Sequence, residues 1–322
     1  ILMDLEGKNT GGGREINALV LVPTRELALQ VDEVFTSLGA SLRYHVKSKA
    51  VYGGVSINPQ MMTMHNINVL VATPGRLLEL YRSKSVKFNN IDTLVIDEAD
   101  KMLNLGFKEE LDRILSLLPK LKQHLLFSAT LSPDVQNIER LHLQNPVVIN
   151  IAPVVHDMEL ISQIAYLVTD ERKGPLLRYL IKTEEMKQVL IFTSSIYQAD
   201  LVADKLRNNG INARAIHGKK SQGSRNESMI TFKNGSLTAL VATDLLARGI
   251  DIEFLPFVIN YDLPRGPKDF IHRIGRTGRA ENTGKAISFI TNEDEHHFGV
   301  IQKKMKKQVE ILESDGFKLH GF

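Results

Sequence analysis

Thr93-Leu94-Val95-Ile96-Asp97-Glu98-Ala99-Asp100 is the stretch from which the fold of this chain is read. Four consecutive β-branched or aliphatic residues, with no polar alternation, describe a strand buried on both faces. Such strands belong to parallel sheets covered by helices. Similar runs recur outward on both sides, each followed by a polar turn and an amphipathic stretch. The first half holds Ala18–Val22, Val69–Ala72, Leu125–Phe127 and Val147–Ile149. The second holds Ile164–Val168, Val189–Phe192, Arg214–Ile216, Ala239–Ala242, Val258–Tyr261 and Ala286–Ile290. Thr73-Pro74 offers a helix N-cap followed by proline at the first helical position, and Gly39 and Gly210 fall where C-terminal caps belong. Strand and helix alternate, which predicts an α/β fold.

The stretch Asn150–Leu160 carries Pro153, has no clear period and separates two similar strand–helix series. Two α/β lobes are therefore expected, at 1–152 and 161–322, joined by a linker at 153–160. A chain of 322 residues is long enough for two cores. Its composition, 43% apolar and 24% charged, is that of a globular protein. Cysteine is absent, which excludes disulfides and cysteine-based metal sites and fits a reducing compartment. No unbroken apolar run approaches the roughly 20 residues that span a bilayer. The opening Ile1–Glu6 is acidic and has no basic n-region, unlike a signal peptide. A cytoplasmic protein with no membrane partner is the expectation. The net charge of +3 permits nucleic-acid binding without requiring it, because the clustering of Lys and Arg decides.

In open α/β sheets ligands bind beyond the carboxyl ends of the strands. The residues just after each run are small hydroxyls, glycines or charges: Pro23-Thr24-Arg25, Gly53-Gly54, Thr73-Pro74-Gly75-Arg76, Asp97-Glu98, Ser128-Ala129-Thr130, Thr193, His217-Gly218 and Thr243-Asp244. A buried strand ending in two carboxylates can place one on a nucleotide-bound Mg²⁺ and the other on an attacking water. Taken alone, Asp97 and Glu98 would equally favour the N-terminus of the next helix. His272 to Arg279 gathers three arginines and a histidine in a glycine-bearing turn, and arginine matches phosphate bidentately. Thr24, Arg25, Thr73, Arg76, Thr193, Gly218 and Thr243 suit a sugar-phosphate backbone, although each could be an ordinary cap. Aromatic residues that would stack bases are few, so backbone recognition with little sequence preference is expected. His296-His297 would point apart on a helix and reads as surface, not as a metal site.

In this order the blocks resemble the DEAD-box family of superfamily 2 RNA helicases, and they look most like its bacterial core-only members. Pro23–Ala28 is similar to motif Ia, Gly53-Gly54 to the GG element and Thr73–Arg76 to motif Ib. Asp97–Asp100 matches motif II to the letter, and Ser128–Thr130 resembles motif III. Leu190–Ser195 looks like motif IV, Gln222–Arg225 like the QxxR element, Ala242–Asp251 like motif V and His272–Arg279 like motif VI. The resemblance implies two RecA-like lobes with helices on both faces of each sheet, and ATP and Mg²⁺ as cofactors. Asp97 would hold the metal through water and Glu98 would activate the hydrolytic water. Arg276 and Arg279 would act as fingers to the γ-phosphate, with His272 alongside them. Gly249 and Asp251 would touch the nucleotide, and Ser128 and Thr130 would couple hydrolysis to closure. RNA would lie on Pro23, Thr24, Arg25, Gly53, Gly54, Thr73, Pro74 and Arg76 of one lobe, and on Thr193, Gly218, Gln222, Arg225 and Thr243 of the other. A short duplex would be opened locally.

The family also carries a Q motif and a GxxxxGK[ST] P-loop, and neither pattern occurs here. Gly7-Lys8 has Leu2 in place of the first glycine and Asn9 in place of the hydroxyl. A chain that begins just after that region, with an incomplete first lobe and no ATP turnover of its own, is the expectation. A non-enzymatic RNA-binding fragment and a DNA translocase of the same superfamily are the alternatives.

Overall fold

The computed structural model describes residues 1–5, 16–42, 44, 46–119, 123–130, 133, 135, 146–150, 161–244, 255–278 and 284–321. By its contacts the chain divides into two compact units, Ile1–Ile149 and Asn150–Phe322. The linker expected at 153–160 lies outside the described residues.

The first unit is built on a sheet of five strands among the described residues: β1 (Ala18–Leu21), β2 (Ser48–Val51), β3 (Val69–Ala72), β4 (Thr93–Ile96) and β5 (Gln123–Leu126). They are ordered β2-β3-β1-β4-β5 and all pair in parallel. The helices are α1 (Arg25–Ala40), α2 (Asn58–Met62), α3 (Pro74–Arg82), α4 (Ala99–Asn104) and α5 (Lys108–Leu117). Side chains alternate across the sheet, yet both faces are apolar. Leu19, Leu21, Leu70 and Leu94 pack into one cluster, while Ala18, Val20, Val69, Val71 and Val95 pack into another. That is why the strand runs show no polar alternation.

The second unit carries β6 (Ile161–Leu167), β7 (Val189–Thr193), β8 (Ala213–Ile216), β9 (Ala239–Thr243), β10 (Phe257–Asn260), β11 (Gly284–Ile290) and β12 (Glu310–Glu313). Their order is β12-β6-β11-β10-β7-β9-β8, again parallel throughout. Its helices are α6 (Asp170–Thr183), α7 (Ile196–Asn208), α8 (Gln222–Lys233), α9 (Pro267–Ile274) and α10 (Glu295–Met305). Val189, Ile191, Val241 and Ile259 face one cluster, and Leu190, Phe192, Leu240 and Val258 face its opposite. The expected α/β class with two doubly covered parallel sheets is the observed one.

Two local expectations are corrected. Val147–Ile149 forms no strand: Val147 is 87% exposed and Ile149 81%. An apolar run becomes a strand only where a neighbour supplies a hydrogen-bond ladder, and the run itself does not reveal that neighbour. Gly39 is not a C-terminal cap but lies buried inside α1, which ends at Ala40 with Ser41 as its C-cap. A Cβ there would sit 3.4 Å from the Val46 carbonyl, an ordinary contact, so the position does not demand glycine. Gly210 does follow α7 with a left-handed backbone, φ 77°.

Candidate active site and nucleic-acid interface

One row of strand ends defines the rim of the first lobe. Val51, Ala72, Leu21, Ile96 and Leu126 are mutually in register across β2, β3, β1, β4 and β5. The polar segments that follow them therefore emerge side by side. In spatial order they run Gly53-Gly54, Thr73–Arg76, Pro23–Arg25, Asp97-Glu98 and Ser128–Thr130. The expected backbone-binding groups occupy one side of the rim and the carboxylates the other.

On the first side, Thr24 caps α1 by accepting from the Leu27 N–H at 3.3 Å. The Gly53 N–H reaches Thr73 Oγ1 at 3.4 Å. Gly54 has φ 75°, a left-handed backbone that favours glycine, and the Arg25 guanidinium lies against the space a Cβ would take. Gln60 clamps Tyr52 just before the glycines, receiving its N–H at 3.0 Å and donating to its carbonyl at 3.2 Å. Pro23, Thr73 and Pro74 are buried. Arg76 is buried too: its Nη2 donates to the Val55 carbonyl and its Nε to Glu79, both at 2.7 Å. That side chain braces the loop after the glycines instead of facing outward.

On the other side, Asp97 and Glu98 are half-buried. Asp97 Oδ1 accepts the Glu98 N–H at 2.8 Å, and Glu98 Oε1 pairs with Lys101. Burial raises both carboxyl pKa values, against the lowering effects of the Glu98 N–H on Asp97 and of Lys101 on both. Glu98 Oε2 is buried without a hydrogen-bond partner among the described residues. Two half-dehydrated carboxylates with an open acceptor suit a divalent cation with its water shell. Thr130 Oγ1 donates to Asp100 Oδ2 at 3.0 Å, and Ser128 Oγ donates to the Thr130 carbonyl at 2.8 Å. The segment after β5 is thereby tied to the start of α4.

In the second lobe Thr193 ends β7, Thr243 ends β9 in register with it, and Gly218 follows β8. Gly218 is exposed and Thr243 half-buried, whereas Thr193 is buried and donates to the Ser195 carbonyl at 3.3 Å. Gln222 opens α8 and bonds Asn226 at 2.8 Å. Its carbonyl oxygen accepts from the buried Arg225 at 3.4 Å. His217 is buried and bonds Asp200 at 3.0 Å, and Lys220 pairs with the same carboxylate at 2.8 Å. Burial would raise the Asp200 pKa, but the bonds from Lys220 and His217 outweigh it and bring it down. In the last basic segment His272 is exposed and Arg276 half-buried. Arg279, Gly249 and Asp251 lie outside the described residues.

A residue that the sequence did not single out organises this region. Arg273 is 2% exposed, and its guanidinium is fully engaged. Nε and Nη2 donate to Asp244 at 2.5 and 2.8 Å, and Nη1 donates to Asn260 Oδ1 at 3.1 Å and to the Asp262 carbonyl at 2.7 Å. The Phe192 ring lies 4.9 Å beneath it. Asp262 in turn accepts Ser194 N–H and Oγ–H at 2.8 and 3.0 Å. Beside Asp262, burial and that carboxylate push the Tyr261 phenol up to about 12. Thr277 bonds the Leu255 carbonyl and packs against Gly284, where a Cβ would fall 2.7 Å from the Gly278 nitrogen. The turn carrying Arg276 is thus fixed from both ends.

Two doubly covered parallel sheets, each with hydroxyls, glycines and charges gathered at the carboxyl rim, are the architecture that the family resemblance implies. Comparison with known proteins agrees. Residues 6–138 match the DEAD/DEAH box helicase model and 172–281 the helicase conserved C-terminal domain. The chain is 40% identical to eukaryotic initiation factor 4A-3 of Arabidopsis thaliana, covering 94% of this chain and 73% of that protein. It is 36% identical to the DEAD-box ATP-dependent RNA helicase CshA of Bacillus subtilis, covering 92% of this chain and 60% of that one. Among solved structures, S. cerevisiae Dbp5 bound to RNA and ADP BeF3 superposes with a TM-score of 0.82 at 30% identity, over 97% of this chain and 81% of that one. The chain belongs to the DEAD-box helicase family. It spans about three-fifths of the length of the bacterial relative.

Proposed function

We propose that this chain is the greater part of the core of an ATP-dependent RNA helicase, which hydrolyses ATP on binding RNA and opens short duplexes or remodels RNA–protein complexes. The observation that carries the reading is the rim of the first lobe. Its strand order sets half-buried Asp97 and Glu98 beside Ser128 and Thr130, linked through Asp100, and sets the backbone-binding groups on the opposite side. Asp97 would hold Mg²⁺, which when bound would supply charge neutralisation at the phosphates. Glu98, whose burial raises its proton affinity, takes a proton from the attacking water. Arg276 and Arg279 offer guanidinium groups to the γ-phosphate, a contribution of about 10³–10⁵ in rate where such fingers have been measured. Gly249 and Asp251, which lie outside the described residues, would contact the nucleotide. Thr24, Arg25, Gly53, Gly54, Gly218, Gln222 and Thr243 hold the sugar-phosphate backbone, and the buried Pro23, Thr73, Pro74, Arg76, Thr193 and Arg225 support those loops.

Phosphate release from the full-length protein, measured with ATP-Mg²⁺ and either single-stranded RNA or duplex DNA, tests this reading. Strong stimulation by RNA alone is expected. Equal stimulation by duplex DNA would favour a DNA translocase. The 322 residues contain no GxxxxGK[ST] sequence, so by themselves they should bind RNA and release no phosphate. Turnover by this chain alone would overturn that part of the reading.

A further inference from the structure

We propose that Gln60 is a positioning residue for RNA binding: its side-chain amide holds the Tyr52 peptide groups and so presets the Gly53-Gly54 turn to receive a phosphate. The inference rests on reading that glycine pair as part of the RNA surface. Gln60 stands in the middle of α2 and is the one buried residue of that helix, 8% exposed. Asn58, Pro59 and Met62 around it are exposed. A five-residue helix that buries one side chain would ordinarily bury an apolar one, because a buried amide is unfavourable unless it is bonded. Here both ends of the amide are bonded. The Tyr52 N–H donates to Oε1 at 3.0 Å, and Nε2 donates to the Tyr52 carbonyl at 3.2 Å.

The sheet explains why Tyr52 needs that partner. β2 is an edge strand, with β3 on one side and no strand on the other among the described residues. The Val51 carbonyl turns inward and accepts the Thr73 N–H at 3.1 Å. In extended chain the next residue presents its groups to the opposite side, so those of Tyr52 reach the open edge. Gln60 meets them there as a neighbouring strand would, and fixes where the turn begins. An amide side chain supplies the donor and the acceptor together. Two further bonds hold the rest of the turn: the Gly53 N–H reaches Thr73 Oγ1 at 3.4 Å, and Arg76 Nη2 donates to the Val55 carbonyl at 2.7 Å. Between these holds Gly54 is exposed. Gly53 has no left-handed backbone, and a Cβ on it would meet nothing within 4 Å. The fold leaves room for a side chain at 53, and its absence suits close approach of a ligand to the peptide. A bare peptide in a turn held at three points is a preset phosphate contact, and Gln60 is the hold that lies outside the motif blocks.

The test uses the full-length protein with ATP-Mg²⁺, following phosphate release as single-stranded RNA is titrated. Gln60→Met keeps the length and bulk of the side chain and removes both bonds. The RNA concentration for half-maximal stimulation should rise roughly five- to tenfold, with the rate at saturating RNA kept. That concentration does not depend on the fraction of protein folded, so a loss of stability alone would not move it. An unchanged value in Gln60→Met overturns the positioning role. Gly53→Val tests the underlying reading by placing a side chain in the open space at the turn. If Gly53→Val raises the half-maximal concentration and Gln60→Met does not, the glycines meet RNA without help from Gln60 and only the inference about Gln60 falls. If neither variant raises it, the glycine pair is no RNA surface and both readings fall. Should Gln60→Met not fold, hydrogen exchange in the wild type decides. The Tyr52 amide should exchange slowly before RNA is added, and the Gly54 amide should slow on its addition. Rapid exchange at Tyr52, or a Gly54 amide indifferent to RNA, overturns the proposal.

Discussion

Glu98 holds a left-handed backbone, φ 50° and ψ 47°, which costs a non-glycine residue about 1–2 kcal/mol. Nothing in the local sequence demands that conformation. It comes at the exit from β4, where the chain turns into α4: the Ala99 N–H donates to the Phe127 carbonyl at 3.1 Å and the Glu98 carbonyl accepts the Met102 N–H at 3.0 Å. In the full-length protein, Glu98→Gln should retain ATP binding while single-turnover hydrolysis falls by about two orders of magnitude or more. Normal turnover would remove Glu98 from its assigned role. Asp97→Asn makes a prediction about stability. Burial raises the Asp97 pKa in the folded state, so ionisation opposes folding. That opposition is absent at pH values below the unfolded carboxylate pKa, grows as pH rises toward the folded pKa, and is complete above it. Thermal melts should show Asp97→Asn more stable than the wild type at pH 7.5, with the gap closing near pH 4. The carboxylates were legible because two acids ending a buried run are rare and local. Arg273 was not, since its partners Asp244, Asn260 and Asp262 follow or end other strands, and only the folded sheet brings them together.

At the level of elements, the second lobe depends on the α9 turn being held at both ends. Arg273→Ala would leave Asp244 half-buried without its cation and Asn260 without its donor. A loss of about 3–5 kcal/mol is expected, measurable as an earlier unfolding transition in urea. Arg273→Lys should recover only part of it, because lysine cannot reproduce the forked contacts. Gly284→Ala should also destabilise, since the new methyl would meet Thr277 and the Gly278 backbone where β11 begins. A melting temperature unchanged by Gly284→Ala would contradict that packing. Legibility at this level was uneven. The core strands β1, β3, β4, β7, β9 and β10 were readable from apolar continuity, apart from shifts of a residue or so at some ends. Strands β2 (Ser48-Lys49-Ala50-Val51) and β12 (Glu310-Ile311-Leu312-Glu313) escaped because charged or hydroxyl residues take half of each, leaving no apolar run of three. Val147–Ile149 shows the converse error: the pattern was present, but among the described residues no strand pairs with it.

For the molecule as a whole, recognition through phosphates predicts that RNA affinity falls steeply with salt, by at least about tenfold between 50 and 200 mM. Titrations at several ionic strengths would show it, and a flat response would argue against the backbone surface. The division into two lobes was readable from the doubled strand series, whereas the order of strands within each sheet was not. Parallel order is fixed by crossover packing, which leaves no mark in any single segment.

The parallel arrangement also has a practical consequence at the opposite rim. Chain returns there through tight left-handed turns at Lys84, Glu185 and Gly235, with φ 57°, 48° and 78°, on the side away from the polar segments. These are natural points for inserting foreign peptide. An epitope tag placed in the exposed Asn234–Ser236 turn should leave RNA affinity unchanged, whereas the same tag beside Gly218 should abolish it.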